Sequence, residues 1–314
     1  MTVKPVIDAV DTEAIKAELT PGRMLRTTNK GGNIIYVVDG RECPNVMRET
    51  GRLREITFRN AGGGTGKDCD IDEYDTMEPP CRQLILWDPD AELILGGYRF
   101  LLGPDIRMRE DGSPRIATAH MFRFSDTFLR DYLPHTIELG RSFVRPEYQS
   151  SKAGAKALFA LDNLWDGLGA LTVCYPEIRY LFGKMTMYPT YRRECRDMIL
   201  HFLHKHFADP DGLVRPFHPI DNGVDTPALT SLFNGADYDA DYRILNAEVH
   251  KYGISIPPLV NAYMGLSPSM RMFGTAINDE FGDVEESGIM ITLADVYEAK
   301  KSRHIKTYTP CRQS

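Results

Sequence analysis

The chain has 314 residues, 37 of them basic and 44 acidic, for a formal net charge of −7. With 42% hydrophobic residues it can bury a full core, as one large domain or two modest ones. The acidic balance argues against nucleic acid as the main partner, and no apolar run approaches the roughly 18 residues that span a bilayer. Any membrane role is therefore expected to be peripheral. Cys43, Cys69, Cys81, Cys174, Cys195 and Cys311 form no CxxC pair and follow no secretory signal, so free thiols in a reducing cytoplasm are expected.

Residues 1–32 are polar, carry a Pro21-Gly22 turn and a Gly31-Gly32 pair, and read as an N-terminal extension. Asn33 to Val38 is β-rich and stops at Asp39-Gly40, which predicts the first strand. From Pro44 to Asn60 apolar residues alternate with Arg and Glu at helical spacing, predicting an amphipathic helix. The following Ala61-Gly62-Gly63-Gly64-Thr65-Gly66-Lys67-Asp68 approaches a phosphate-binding loop but departs from it twice. Ala61 fills the first glycine slot, Asp68 replaces the hydroxyl residue, and the preceding element reads as a helix and not a strand. A mobile loop is the expectation.

Asp70-Ile71-Asp72-Glu73-Tyr74-Asp75 is an acidic cluster in a short turn or helix. Cys81 to Trp87 and Ala91 to Leu102 are apolar runs joined by Asp88-Pro89-Asp90, an antiparallel hairpin. Gly96-Gly97 inside the second run marks a bulge or a close backbone approach, and Arg99 follows. Thr136 to Val144 reads as a strand carrying Glu138 and Arg141, with Pro146 stopping it. Residues at i and i+3 fall on opposite faces of an ideal strand, so Glu138 and Arg141 serve one site only if a bulge intervenes.

Ser150 to Leu171 predicts a helix, Arg179 to Met187 a strand, and Arg192 to Phe207 a helix whose His201, His204 and His206 are expected on its surface. The Pro- and Gly-rich stretch 209–236 reads as an insertion. Asp237-x-Asp239-x-Asp241 lacks the Gly and Glu of a calcium loop, and no metal is expected. Helices near 241–252 and 258–266 precede two closing strands, 270–277 and 288–293. The order predicts a mixed α/β domain with a largely antiparallel sheet, as a single domain over 33–305 with a C-terminal elaboration from 240.

Read together, Arg54-x3-Phe58-Arg59, Asp70-x-Asp72-Glu73-Tyr74-Asp75, Cys81-Arg82-Gln83-Leu84-Ile85-Leu86, Gly96-Gly97-Tyr98-Arg99 and Glu138-Leu139-Gly140-Arg141-Ser142-Phe143-Val144 resemble the ornithine-lipid type N-acyltransferases, often labelled hemolysins. Those enzymes are similar to the acyl-homoserine-lactone synthases and have the GNAT fold. The resemblance extends through Leu181-Phe182-Gly183 to Ile256-Pro257-Pro258-Leu259-Val260-x-Ala262-Tyr263, covering roughly 50–295. It implies transfer of a fatty acyl chain from a phosphopantetheine thioester, usually on acyl carrier protein, to an amino acid's α-amine. The acceptor stays open among ornithine, lysine, glutamine, glycine or a longer amino lipid.

By this resemblance Glu138 is the candidate general base, since an α-ammonium must lose a proton before it attacks. Arg141 and Arg99 are candidates for the acceptor carboxylate or for organising the acidic cluster, with Asp72 and Asp75 orienting them or the amine. Phe58 and Arg59 match a segment that closes over the site in the lactone synthases, which would make the Gly-rich loop part of a lid. The GNAT pyrophosphate motif is broken after the strand: counted from Gln149, its glycine slot is Lys152. This favours a carrier-protein donor over CoA, with Ser150, Ser151 and Lys152 meeting the donor phosphate.

Two rival readings remain. His204-x4-Asp209 matches the pattern of glycerolipid O-acyltransferases. A GNAT-like scaffold could instead bind a carrier protein or lipid without catalysis, through Arg179, Lys184, Arg192, Arg193, Arg196 and Lys205.

Overall fold

The computed structural model describes residues 3–149, 155–220 and 226–310. Its strands are β1 (Met24–Thr27), β2 (Ile34–Asp39), β3 (Arg82–Asp88), β4 (Leu93–Leu102), β5 (Phe122–Phe124), β6 (Thr136–Val144), β7 (Tyr180–Met187), β8 (Val214–Pro216), β9 (Arg271–Asn278) and β10 (Val284–Thr292). Its helices are α1 (Thr12–Glu18), α2 (Pro44–Ala61), α3 (Glu73–Thr76), α4 (Ala155–Cys174), α5 (Arg193–Phe207), α6 (Pro227–Leu232), α7 (Tyr238–His250) and α8 (Pro258–Met264). The fold is mixed α/β with largely antiparallel pairing, as expected. Among the described residues, no helix is long and apolar enough to cross a membrane.

The chain divides into two compact units. One comprises Met1–Arg107, Pro134–Arg179 and Glu298–Ser314. Its strands run β1-β2-β3-β4-β6, every neighbour antiparallel. Leu84 to Trp87 and Ile94 to Leu102 are buried throughout because both faces of these central strands are covered. Asp88 Oδ1 accepts from the amides of Asp90 and Ala91, and this closes the hairpin between them.

The stretch 1–32 contributes α1 and β1, the latter paired to β2. Glu18, the last residue of α1, accepts from the Asn45 and Val46 amides. Its carboxylate thus caps the N-terminus of α2, whose own N-cap Cys43 makes no side-chain capping hydrogen bond.

The Gly-rich loop after α2 is held down, which corrects the expectation of a mobile segment. Buried Glu55 accepts from the amides of Thr65 (3.1 Å) and Gly66 (2.8 Å) and from the Thr65 hydroxyl (2.7 Å). Arg59 bonds Glu55 at 2.7 Å, the Lys4 carbonyl at 2.7 Å and the Lys67 carbonyl. A carboxylate on the last turns of α2 supplies the acceptors that a free glycine loop would lack.

The second unit comprises Met108–Leu133 and Tyr180–Tyr297. It contains an antiparallel β7-β10-β9 sheet and a β5-β8 ribbon, with β8 and α6 lying inside the stretch read as an insertion. His201 and His206 are not surface residues. His201 is buried and stacks on Phe233, and His206 Nε2 lies 2.9 Å from Asp241 in the first turn of α7. The α5–α7 packing overrides the polar pattern because buried Asp241, which also accepts from the Asn234 and Gly235 amides, offers the imidazole a partner.

Most of the basic residues between 179 and 205 are likewise engaged. Lys184 pairs with Glu286, Arg196 with Glu285 and Asp197, Arg192 with Glu194, and Arg193 with Asp197.

Gly96 lets β4 and β6 approach closely, for a Cβ there would lie 2.4 Å from the Phe143 carbonyl oxygen. Gly96→Ala is therefore expected to destabilise the protein by about 1–3 kcal/mol. A urea midpoint unchanged from wild type would contradict that close approach.

Candidate active site

Strand register builds the site floor. Gln83 pairs with Arg99, Arg99 with Gly140, and Leu101 with Glu138. Paired residues share a face, as do residues two apart, so Gln83, Arg99, Leu101, Glu138 and Gly140 all belong to one face of β3-β4-β6. Glu138 is 2% exposed and Arg99 1%.

Arg141 would point to the opposite face in a regular strand. The register shifts between the Gly97–Phe143 and Arg99–Gly140 pairs, so Arg141 and Ser142 together face Tyr98. This is the bulge that the Glu138-to-Arg141 spacing requires. Arg141 sits at φ 48°, a left-handed conformation costly for a residue with a side chain. Its guanidinium thereby reaches the same acidic segment as Arg99: Nε is 2.8 Å from Asp70 Oδ2 and Nη2 3.4 Å from Asp72 Oδ2.

The acidic segment is itself ordered by a reciprocal cap on α3. Asp72 accepts from the Tyr74 amide at 2.9 Å, and Asp75 accepts from the Asp72 amide at 3.2 Å. Arg99 Nη1 then donates to Asp72 at 2.6 Å and Asp75 at 3.3 Å. From α2, Arg54 donates to both Asp75 oxygens at 3.3 Å and to Gln83, whose own amide donates to Asp75 at 2.9 Å. Arg54, Arg99 and Arg141 thus face Asp70, Asp72 and Asp75 in one network, buried except at the partly exposed Arg141 and Asp72.

The electrostatics follow from this crowding. Burial alone would raise the Asp72 carboxyl, but the Arg99 and Arg141 guanidiniums beside it hold it well below the usual carboxylate range. Burial opposes the charge on Arg99 as well, and Asp75 and Asp72 outweigh it and hold the proton on. Burial pushes the Cys81 thiol far up; Arg99 pulls the other way, while Glu138, Asp75 and Asp72 add to the rise. Burial thus favours the neutral thiol of Cys81 beside Glu138.

Of the residues singled out by sequence, Glu138, Arg141, Arg99, Asp72 and Asp75 lie in this one neighbourhood. Phe58 is buried on α2, whereas Arg59 leaves the cluster for the Gly-rich loop. Ser150, Ser151 and Lys152 lie outside the described residues. Asp209 accepts from the Leu213 amide and from Arg271 at 2.8 Å, closing the turn into β8.

Arg54, Asp70 and Gln83 belong to the network without having been assigned a site role. The available signal was Arg54 itself, a charged residue on the apolar stripe of α2, seven residues after Met47 and four before Phe58.

Residues 53–158 match the family model described as an acetyltransferase (GNAT) domain, a stretch running from α2 through the network and β6 into α4. The class is thus that of a GNAT-fold acyltransferase. The chain is 61% identical over 306 residues to the glycine N(alpha)-acyltransferase of Bacteroides thetaiotaomicron, covering 98% of this chain and 91% of that protein. It is 59% identical over 306 residues to the enzyme of the same name from Phocaeicola vulgatus, covering 98% and 94%. No solved structure matches the chain significantly. The chain belongs to the same family as these two enzymes, a family of amino-acid N-acyltransferases.

The depressed Asp72 carboxyl links the network to pH. Its contribution to stability is fully present above the unfolded carboxylate value near pH 4, and is lost as pH falls from there toward the folded value. Asp72→Asn is expected to lower the melting temperature at pH 7, and its deficit should narrow by about 1 kcal/mol for each pH unit below 4. Melts from pH 7 to pH 2.5 test this, and a deficit constant across that range would contradict it.

Proposed function

We propose that the chain transfers a fatty acyl group from a phosphopantetheine thioester to the α-amine of glycine, with Glu138 as general base. The observation that carries this reading is the placement of a buried carboxyl, Glu138 of β6, on the sheet face that also bears Arg99 of β4. The two relatives' names favour glycine over ornithine as acceptor, at 61% and 59% identity over nearly the whole chain.

In the transfer, Glu138 takes a proton from the acceptor's ammonium, directly or through one water. The freed nitrogen attacks the thioester carbon, the C–S bond breaks, and the second proton lost by the nitrogen goes to the departing thiolate. The products are an N-acylglycine and a free phosphopantetheine thiol. Asp70, Asp72, Asp75, Arg54 and Arg141 act in this reading as a positioning frame, because each is already engaged by another member. They hold the bulged end of β6, and with it Glu138, against the sheet.

A carrier-protein donor is favoured over CoA by the Lys152 that occupies the glycine slot after Gln149. One phosphate then needs partners, a role proposed for Ser150, Ser151 and Lys152.

The test is purified protein with acyl carrier protein thioester or acyl-CoA, offered glycine or ornithine, with products read by mass spectrometry. N-acylglycine formation is expected, fastest from the carrier protein. Glu138→Gln should retain the fold and lose about 10²- to 10⁴-fold in kcat. N-acylornithine as the main product would replace glycine as acceptor, and full activity of Glu138→Gln would remove Glu138 as base.

A further inference from the structure

Gly140 occupies the middle of β6, yet nothing in the fold calls for glycine there. Its φ is not in the left-handed region, and a Cβ built on it meets Arg99 Nε alone, at an ordinary 3.9 Å. The nearby strand glycines differ: a Cβ at Gly96 or Gly97 would strike a backbone oxygen at 2.4 or 2.6 Å. Glycine in a strand interior sacrifices packing and costs backbone entropy, and it marks a bulge or the close approach of a ligand; the bulge here is carried by Arg141 and Ser142, the residues after Gly140.

The surroundings of the gap carry complementary chemistry. Glu138 precedes it by two residues on the same face, and Arg99 lies across the ladder. Arg99 is 1% exposed, and its Nη1 is engaged by Asp72 and Asp75, but its Nε has no hydrogen-bond partner. Leaving a buried donor unmade costs about 1–3 kcal/mol, so a site that leaves one is poised to accept an anion. Arg54 Nε on α2 likewise has no hydrogen-bond partner, so what singles out Arg99 Nε is its nearness to Gly140. Arg99 Nε, itself buried, lies 3.9 Å from where a Cβ on Gly140 would stand, and Gly140 is partly exposed.

We propose that the gap over Gly140 is the acceptor subsite, in which an α-amino acid's carboxylate accepts from Arg99 Nε while its amine lies toward Glu138. This rests on the reading of the chain as an amino-acid N-acyltransferase with Glu138 as base. It accounts for glycine at position 140, since the absent side chain is the room the acceptor occupies. Arg141, paired with Asp70 and Asp72, positions the strand in this reading.

The test uses the full chain with glycine and with glycinamide, which keeps the amine but lacks the carboxylate. Wild type is expected to favour glycine by about tenfold to a hundredfold in kcat/KM, the value of a charge-assisted hydrogen bond. Gly140→Ala should melt no lower than wild type, since alanine fits the backbone there. It should raise KM for glycine at least about tenfold, with KM for the acyl thioester unchanged. Equal use of glycinamide and glycine by wild type would overturn the subsite, as would an unchanged glycine KM in the folded variant. If Gly140→Ala does not fold, the glycine-to-glycinamide ratio decides alone. If wild type acylates neither glycine nor ornithine, the activity reading falls. Calorimetry of glycine binding to wild type and Gly140→Ala then still decides the subsite, equal affinity overturning it and weaker binding by the variant supporting it.

Discussion

Packing three guanidiniums against three carboxylates, with Arg54, Arg99, Asp70 and Asp75 fully buried, is the constraint on which the rest of the first unit depends. Each ion taken out of water costs several kcal/mol, and only close geometry with well-filled hydrogen bonds offsets that. Arg54 must therefore arrive from α2, Asp70, Asp72 and Asp75 from the capped turn, Arg99 from β4 and Arg141 from β6, all within bonding distance. Displacing one element leaves an uncompensated buried charge elsewhere. The network is in this sense a registry device: it selects one arrangement of helix, turn and strands over the many that hydrophobic burial alone would tolerate.

The bulge at Arg141 and Ser142 is the second consequence. A strand that kept its alternation would send Arg141 away from the aspartates and leave Asp70 without that cation. The left-handed backbone at Arg141 is a local cost that the ion pairs with Asp70 and Asp72 offset. The same distortion ends the regular β4-β6 ladder next to Gly140, so the place where strand geometry fails is also where the acyl-transfer reading puts the substrate. Glu55 works on the same principle at the other end of α2, where one buried carboxylate binds the amides of a loop that would otherwise be loose.

Much of this is legible in the chain's own patterning. Thr136 to Val144 is the strand predicted from its composition and from Pro146, and α2 lies within a residue or two of its periodic pattern. The bulge is foreseeable from spacing, since Glu138 and Arg141 three apart cannot share a face without one. The β1 strand and α1 are not, because seven helical and four strand residues are too few for periodicity to rise above a polar background. His206 departs from its expected surface position for a related reason. One-dimensional pattern places a histidine among polar residues on the surface, and only α7 packing supplies the buried Asp241 that satisfies it.

The sequence by itself determined the class of the fold, its central strands and longer helices, and the residue types that acyl transfer to an amine needs. These follow from local rules: alternation, helical period, and the charge chemistry of short motifs. Tertiary structure alone decided how those charges are used. It engaged Arg141, Asp72 and Asp75 in mutual pairing, turned Arg59 away to the glycine-rich loop, and left Arg99 Nε beside the empty place of Gly140. The reason is that a guanidinium's partner is set by distance in space and by the low dielectric around it, and neither is written in the spacing of residues along the chain.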